Sequence, residues 1–226
     1  MNTNRGKDGV NKDPTRIKIC GLKTLADIEL INEVRPEYCG FIVDYPKSHR
    51  SKTEEEVKIF VSELIDEVVP VGVFVDPDPK LPIRMLKDGT IRIAQLHGSE
   101  TDDTIRRVQE ATGCQVIKAF IIESEADVKR AVSSPADFIL LDKGRGEGAT
   151  FDWSLVKDID RPYFLAGGLN RENIVEAINN LEPFAVDISS GVETDRYKDP
   201  AKVREMVAIV RNKAESLTGY NNLIVT

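Results

Sequence analysis

Positive charge is the first thing this chain lacks. Acidic residues outnumber basic ones and the net charge is −7 at neutral pH. A broad nucleic-acid surface needs a basic face, so that class is set aside. Any bound anion must then rely on local devices: backbone amides, helix N-termini or a few placed cations. Cysteine is scarce too. Cys20, Cys39 and Cys114 are odd in number and widely spaced, and define no disulfide framework. With only two histidines, His49 and His97, no Cys/His zinc spacing occurs. No apolar run approaches the roughly 18 residues of a membrane span. The opening "MNTNRGKDGVNKDPT" has no apolar centre of a secretory signal. These absences leave a soluble, cytoplasmic protein with reduced thiols as the expectation.

What is present is a repeating order of elements. Hydrophobic residues make up 41% of the chain, enough for a sizeable core. Eight short apolar runs read as strands: "RIKIC" from Arg16, "YCGFIV" from Tyr38, "VVPVGVFV" from Val68, "IRIAQLH" from Ile91, "QVIKAFI" from Gln115, "DFILLD" from Asp137, "PYFLAG" from Pro162 and "PFAVDISS" from Pro183. Amphipathic stretches follow them. Thr24 and Thr53 are placed as N-caps, the second ahead of acidic residues in a first helical turn. A helix from Thr101 stops on Gly113. Helices are also expected in "SEADVKRAVSS", "NRENIVEAINNL" and "DPAKVREMVAIVRNK". Those near Leu81 and Trp153 are short and poorly marked. The unit length is about 24 residues, ordinary for a strand, a helix and two loops. Eight such units in succession predict one closed (β/α)₈ barrel, the TIM-barrel fold, over residues 16–213. An open doubly wound sheet is the alternative. Residues 1–15 are expected to be a disordered extension and 214–226 a tail.

In such a barrel the chemistry lies at the C-terminal ends of the strands. The first strand ends on Cys20, where a thiolate would serve as nucleophile or general base. The sixth ends on Asp142, closing an apolar run. Partial desolvation there is expected to raise its pKa and suit a proton donor. The loop after the second strand carries Ser48, His49 and Arg50. A guanidinium at that place would grip a carboxylate, although an exposed charge is the simpler account. His97 ends the fourth strand and would hydrogen-bond it or reach a substrate. Gly167 and Gly168 follow the seventh strand, and Ser190 and Gly191 the eighth. Two glycine-bearing loops at these positions predict phosphate held by backbone amides. Asp187 stands on the eighth strand. Alternation puts Lys18 on the face of Cys20, one layer deeper. A buried ammonium needs a partner, and the adjacent Asp187 is the expected one. Cys39, mid-strand, reads as a small core hydrophobe.

The ordered set "KICG", "SHR", "VGVFVD", "QLHG", "IKAF", "LLD…GATFDW", "AGGLNRENI" and "VDISSGVE…KD" resembles phosphoribosylanthranilate isomerases of tryptophan biosynthesis. The likeness runs collinearly from Arg16 to Lys213. It implies a (β/α)₈ barrel without cofactor or metal. The implied reaction is the Amadori rearrangement of N-(5-phosphoribosyl)anthranilate to the aminoketose 1-(2-carboxyphenylamino)-1-deoxyribulose 5-phosphate. By motif position it implies Cys20 as general base and Asp142 as general acid. It places Arg50 at the anthranilate and Asp187 near ribose and anthranilate. His49 stands where proline is common, "TDRYKD" replaces a glycine-bearing loop, and "GRGEGATFDW" varies a more glycine-rich one. The expected partner is a small phosphorylated substrate, with the chain a monomer or homodimer. Competing readings are another phosphate-binding aldose–ketose isomerase, an indole-glycerol-phosphate synthase, or a non-catalytic phosphate-binding protein. The synthase would carry lysine and glutamate at the mouth, whereas the first strand here ends on a thiol.

Overall fold

The chain was analysed as a computed structural model, which describes residues 14–144 and 153–219, with side chains to residue 212. Eight parallel strands form its centre: β1 Arg16–Cys20, β2 Tyr38–Val43, β3 Val69–Phe74, β4 Ile93–Leu96, β5 Gln115–Ile121, β6 Phe138–Asp142, β7 Tyr163–Leu165 and β8 Ala185–Ile188. Each pairs with its sequence neighbours, and β1 pairs with both β2 and β8, which closes the barrel and rules out the open sheet. The helices are α1 Leu25–Val34, α2 Glu54–Ser62, α3 Lys80–Lys87, α4 Asp102–Thr112, α5 Glu125–Val132, α6 Ile174–Leu181 and α7 Pro200–Gly219. No helix among the described residues is long and apolar enough to cross a membrane.

Local sequence explains the helix starts. Thr24 and Thr53 each accept from the backbone of the third helical residue, and Asp27 and Glu56 reach back to the cap amides. These capping boxes satisfy donors that a helix start leaves free. Thr101 caps α4, and Gly113 ends it in the left-handed region. The two weakly marked helices differ in outcome. α3 forms without any side-chain cap, while the segment near Trp153 makes only a 3₁₀ turn, Trp153–Val156. α6 starts at Ile174 rather than Asn170. There the Asn170 and Asn173 side chains bond nearby amides and divert the first turn. α7 continues to Gly219, past the expected boundary at 213. Most of the N-terminal extension, the end of the tail and the "RGEGATFD" segment lie outside the described residues.

Strand alternation divides the core into two layers. Outward residues such as Ile17, Ile19 and Phe41 pack under the helices, with Cys39 among them as expected. Burial pushes the Cys39 thiol up, as befits an inert core residue. Inward residues Tyr38, Val71, Ile117, Phe138, Phe164 and Phe184 fill the lumen near the strand starts. Their rings interlock, with Phe138 and Phe184 stacked at 4.8 Å and Tyr38 edge-on to Phe164 at 5.3 Å. The lower half of the barrel is thus a solid apolar plug. The Arg16 guanidinium covers the Phe184 ring at 4.3 Å at the strand starts, and the site's polar side chains lie towards the opposite end.

Candidate active site

Above the plug lies the ion pair expected from the sequence. Lys18 is fully buried, and its Nζ donates to both carboxylate oxygens of Asp187 at 3.0 Å. The two residues face each other in register across β1 and β8. Burial alone would push the Lys18 pKa down, but Asp187 and Cys20 together outweigh it, and the net shift is upward. Lys18 also hydrogen-bonds Cys20, one layer higher. Burial raises the Cys20 thiol above its usual range, and the Lys18 ammonium offsets only part of that rise. Gly40 on β2 leaves room for this pair: a Cβ there would lie 2.7 Å from Cys20 Sγ and 3.0 Å from Lys18 Nζ.

Cys20 opens into a cavity of about 390 Å³ at the C-terminal mouth, a size suited to a small molecule. All nine candidate residues line it: Cys20, Arg50 and His97 with Asp142 and Asp187, and the loop residues Gly167, Gly168, Ser190 and Gly191. Gly167 and Gly168 both have left-handed backbones, with φ of 88° and 70°, which glycine adopts without strain. A Cβ on Gly191 would run into the Leu169 carbonyl. The two glycine loops therefore lie back to back, and Gly191 is needed for that packing.

Asp142 departs from its expected titration. Burial does push its carboxyl upward. The adjacent His97 ring and the Gly144 and Lys143 amides outweigh that effect, so its pKa lies below the ordinary value. Its Oδ1 accepts from Gly144 N–H at 3.0 Å, and its Oδ2 lies 3.6 Å from His97 Nε2. On the other side of the ring, Gln95 Nε2 lies 2.8 Å from His97 Nδ1.

Arg50 lines the mouth but is not a free charge. Its Nε and Nη2 donate to Glu193 at 2.7 and 2.6 Å, a bidentate pair. Glu193 also accepts from buried Lys198 at 2.8 Å, and Lys198 donates to the Ser189 carbonyl. Burial raises the Glu193 carboxyl, but its two cationic partners win and hold it at about 2. A small hairpin, Glu193–Thr194 with Tyr197–Lys198, presents both residues. Its turn places Asp195 and Arg196 at φ of 50° and 68° without any glycine. Neither Glu193 nor Lys198 stood out in the sequence as a site residue. His49 is exposed, and its replacement of proline leaves Arg50 in place. Gly21 makes room for this side chain: a Cβ on it would strike Arg50 Cδ.

Among the described residues, no three His, Cys, Asp or Glu side chains converge as metal ligands. A closed (β/α)₈ barrel with a thiol and a carboxylate facing one cavity at its C-terminal mouth belongs to the barrel enzymes whose strand ends carry the chemistry. The family model for N-(5'phosphoribosyl)anthranilate (PRA) isomerase matches residues 17–209. An N-(5'-phosphoribosyl)anthranilate isomerase of Endomicrobium trichonymphae is 39% identical over 203 residues, covering 87% of this chain and 98% of the relative. A crystal structure of phosphoribosyl anthranilate isomerase in complex with reduced 1-(o-carboxyphenylamino)-1-deoxyribulose 5-phosphate superposes with a TM-score of 0.78. It is 37% identical and covers 88% of this chain and 99% of that one. Monomers of the dimeric enzyme from Thermotoga maritima superpose at 0.77, with 36% identity and coverage of 87% and 98%. The chain belongs to the N-(5'-phosphoribosyl)anthranilate isomerase family.

Proposed function

We propose that Cys20 and Asp142 are the base and acid with which this chain performs its family's reaction, the Amadori rearrangement of N-(5-phosphoribosyl)anthranilate in tryptophan biosynthesis. The reading rests on one observation: a thiol on β1 and a carboxylate on β6 border the same mouth cavity. Asp142 delivers a proton to the furanose oxygen. The ring C–O bond breaks with its electron pair on that oxygen, while the nitrogen lone pair forms the C=N bond. The resulting iminium makes the neighbouring C–H acidic, and Cys20 removes that proton. Return of a proton to C1 and loss of the hydroxyl proton at C2 complete the ketone, so the proton count balances. Each correctly placed acid or base contributes ~10²–10⁴-fold.

The iminium answers the raised Cys20 pKa. It places a positive charge beside the sulfur at the step that needs a thiolate. Phosphate binds at Gly167, Gly168, Ser190 and Gly191 through backbone amides. Arg50 takes the anthranilate carboxylate with the donors that Glu193 leaves, and Asp187 serves the ribose end through Lys18. The chain is a monomer or homodimer, which light scattering decides. The test of function is the fluorescence decay of phosphoribosylanthranilate on addition of the wild-type chain. Turnover that the reduced product analogue inhibits is expected. Calorimetric binding of that analogue without any turnover would overturn the reading.

A further inference from the structure

The low pKa of Asp142 leaves a question within the proposed reaction. An acid ionised at neutral pH needs a source for the proton it delivers. The geometry around it is asymmetric. Oδ1 is tied to the Gly144 amide at 3.0 Å, and only Oδ2 faces His97 Nε2 at 3.6 Å. That separation is long for a hydrogen bond, and such contacts tighten when substrate closes a site. The His97 backbone is firmly held. Lys118, itself buried, donates to the carbonyls of Leu96 and Gly98 on either side of it and to Glu100. Glu100 accepts in turn from Gly98 N–H. The parts free to change are the imidazole protonation and the Gln95 amide.

Gln95 is 1% exposed, and its Oε1 has no partner among the described residues. A buried amide oxygen left unpaired is costly. Oxygen and nitrogen of an amide are distinguished only by their hydrogen-bond network. Turning this amide would set Oε1, rather than Nε2, against His97 Nδ1. The proton on His97 decides which end of the amide faces Nδ1. Nδ1–H requires the oxygen. A bare Nδ1 requires the amide N–H.

We propose that His97 is the proton store behind Asp142, with Gln95 Oε1 holding Nδ1–H so that all proton exchange takes place at Nε2. The store begins as imidazolium. Its Nε2–H bond breaks, the electron pair stays on the ring, and the proton joins Asp142 Oδ2. Asp142 passes it to the furanose oxygen. Later the C2 hydroxyl proton travels back through Oδ2 to Nε2, so the cycle closes without an added acid. The charged groups placed around His97 are Asp142 on β6, Lys118 on β5 with its partner Glu100, and Asp76 in the loop after β3. His97 and Gln95 act through Asp142 and are positioning residues. The assignment rests on the proposed acid role of Asp142.

The first test needs no turnover, so it is separate from the test of function. Nitrogen NMR of the wild-type chain labelled at histidine, with the reduced product analogue bound, reads the His97 tautomer directly. Nδ1 is expected to stay protonated in the neutral ring as in the charged one, with only Nε2 gaining or losing its proton. An unprotonated Nδ1 in the neutral ring would overturn the proposal. The second test is kinetic. His97→Asn can still donate a hydrogen bond to Asp142 but cannot store a proton. It is expected to lose ~10–100-fold in kcat, a part of the general-acid contribution, with KM little changed and the acidic limb of the pH profile altered. Gln95→Glu, which keeps an acceptor for Nδ1–H, is expected to retain more activity than Gln95→Leu. A His97→Asn enzyme with wild-type kcat and pH profile would sink the idea. Should that variant fail to fold, the NMR result on the wild-type chain stands as the decision.

Discussion

At the N-terminal end of the barrel the lumen is closed by packed rings, among them Tyr38, Phe138, Phe164 and Phe184. At the C-terminal end it is lined by Cys20, Asp142, Asp187, His97 and Arg50. The same strands build both ends. β6 starts on Phe138 and ends on Asp142. The difference shows how one fold keeps stability and chemistry apart. Apolar area buried in the plug contributes ~25 cal/mol per Å², while the mouth spends burial on holding charged groups in pairs. Lys18 and Asp187 form the boundary, a buried ion pair that sits on the plug and touches the thiol.

The ion pair at this boundary is the most sensitive point of the division. Lys18→Met leaves the Asp187 carboxylate buried without its partner, a change expected to cost about 3–5 kcal/mol. It should also push the Cys20 thiol still higher, because the ammonium beside it is gone. Urea unfolding and the pH at which the thiolate appears by ultraviolet absorbance check both effects. A stable variant with an unmoved thiol would show that the pair is irrelevant to the mouth.

Phe164→Ala tests the plug alone. Phe164 is fully buried among Tyr38, Phe138 and Phe184. Its truncation is expected to lower stability by about 3–5 kcal/mol, with kcat of the folded enzyme within about twofold of wild type. A large fall in kcat below the melting range would mean that the two ends are mechanically coupled.

Glu193→Gln is the smallest change and sharpens the picture of the mouth. The folded pKa of Glu193, about 2, lies below its ordinary 4.5. Its contribution is therefore complete above 4.5 and is lost as pH falls towards 2. The variant is expected to show a flatter stability profile in that window, measured by urea midpoints. A profile that stays as steep as wild type would place the acid sensitivity elsewhere.

Much of this division is legible in the sequence because it follows strand alternation. Lys18 and Cys20 share a face, Asp187 lies in register across the closing seam, and Thr24 and Thr53 announce their helices. What stays hidden depends on chain segments meeting late in the fold. The Arg50 partner, Glu193, comes from a hairpin whose turn carries no glycine. Gly21 makes room for Arg50, 29 positions on in the chain. The Asp142 titration is set by amides of its own loop and a histidine from β4, and neither follows from "FILLD". Gln95 is one polar residue within "IRIAQLH" in the sequence, and its unpaired oxygen arises only when the barrel closes around it.

The proposed acid and base across the mouth are expected to carry the reaction without carrying the fold. Turnover measured beside thermal unfolding for Cys20→Ala and Asp142→Asn separates the two. Each variant is predicted to lose ~10²–10⁴-fold in kcat, with a midpoint that stays close to that of wild type. Near-normal turnover in either variant, or a loss of activity that merely tracks unfolding, would contradict that separation of roles.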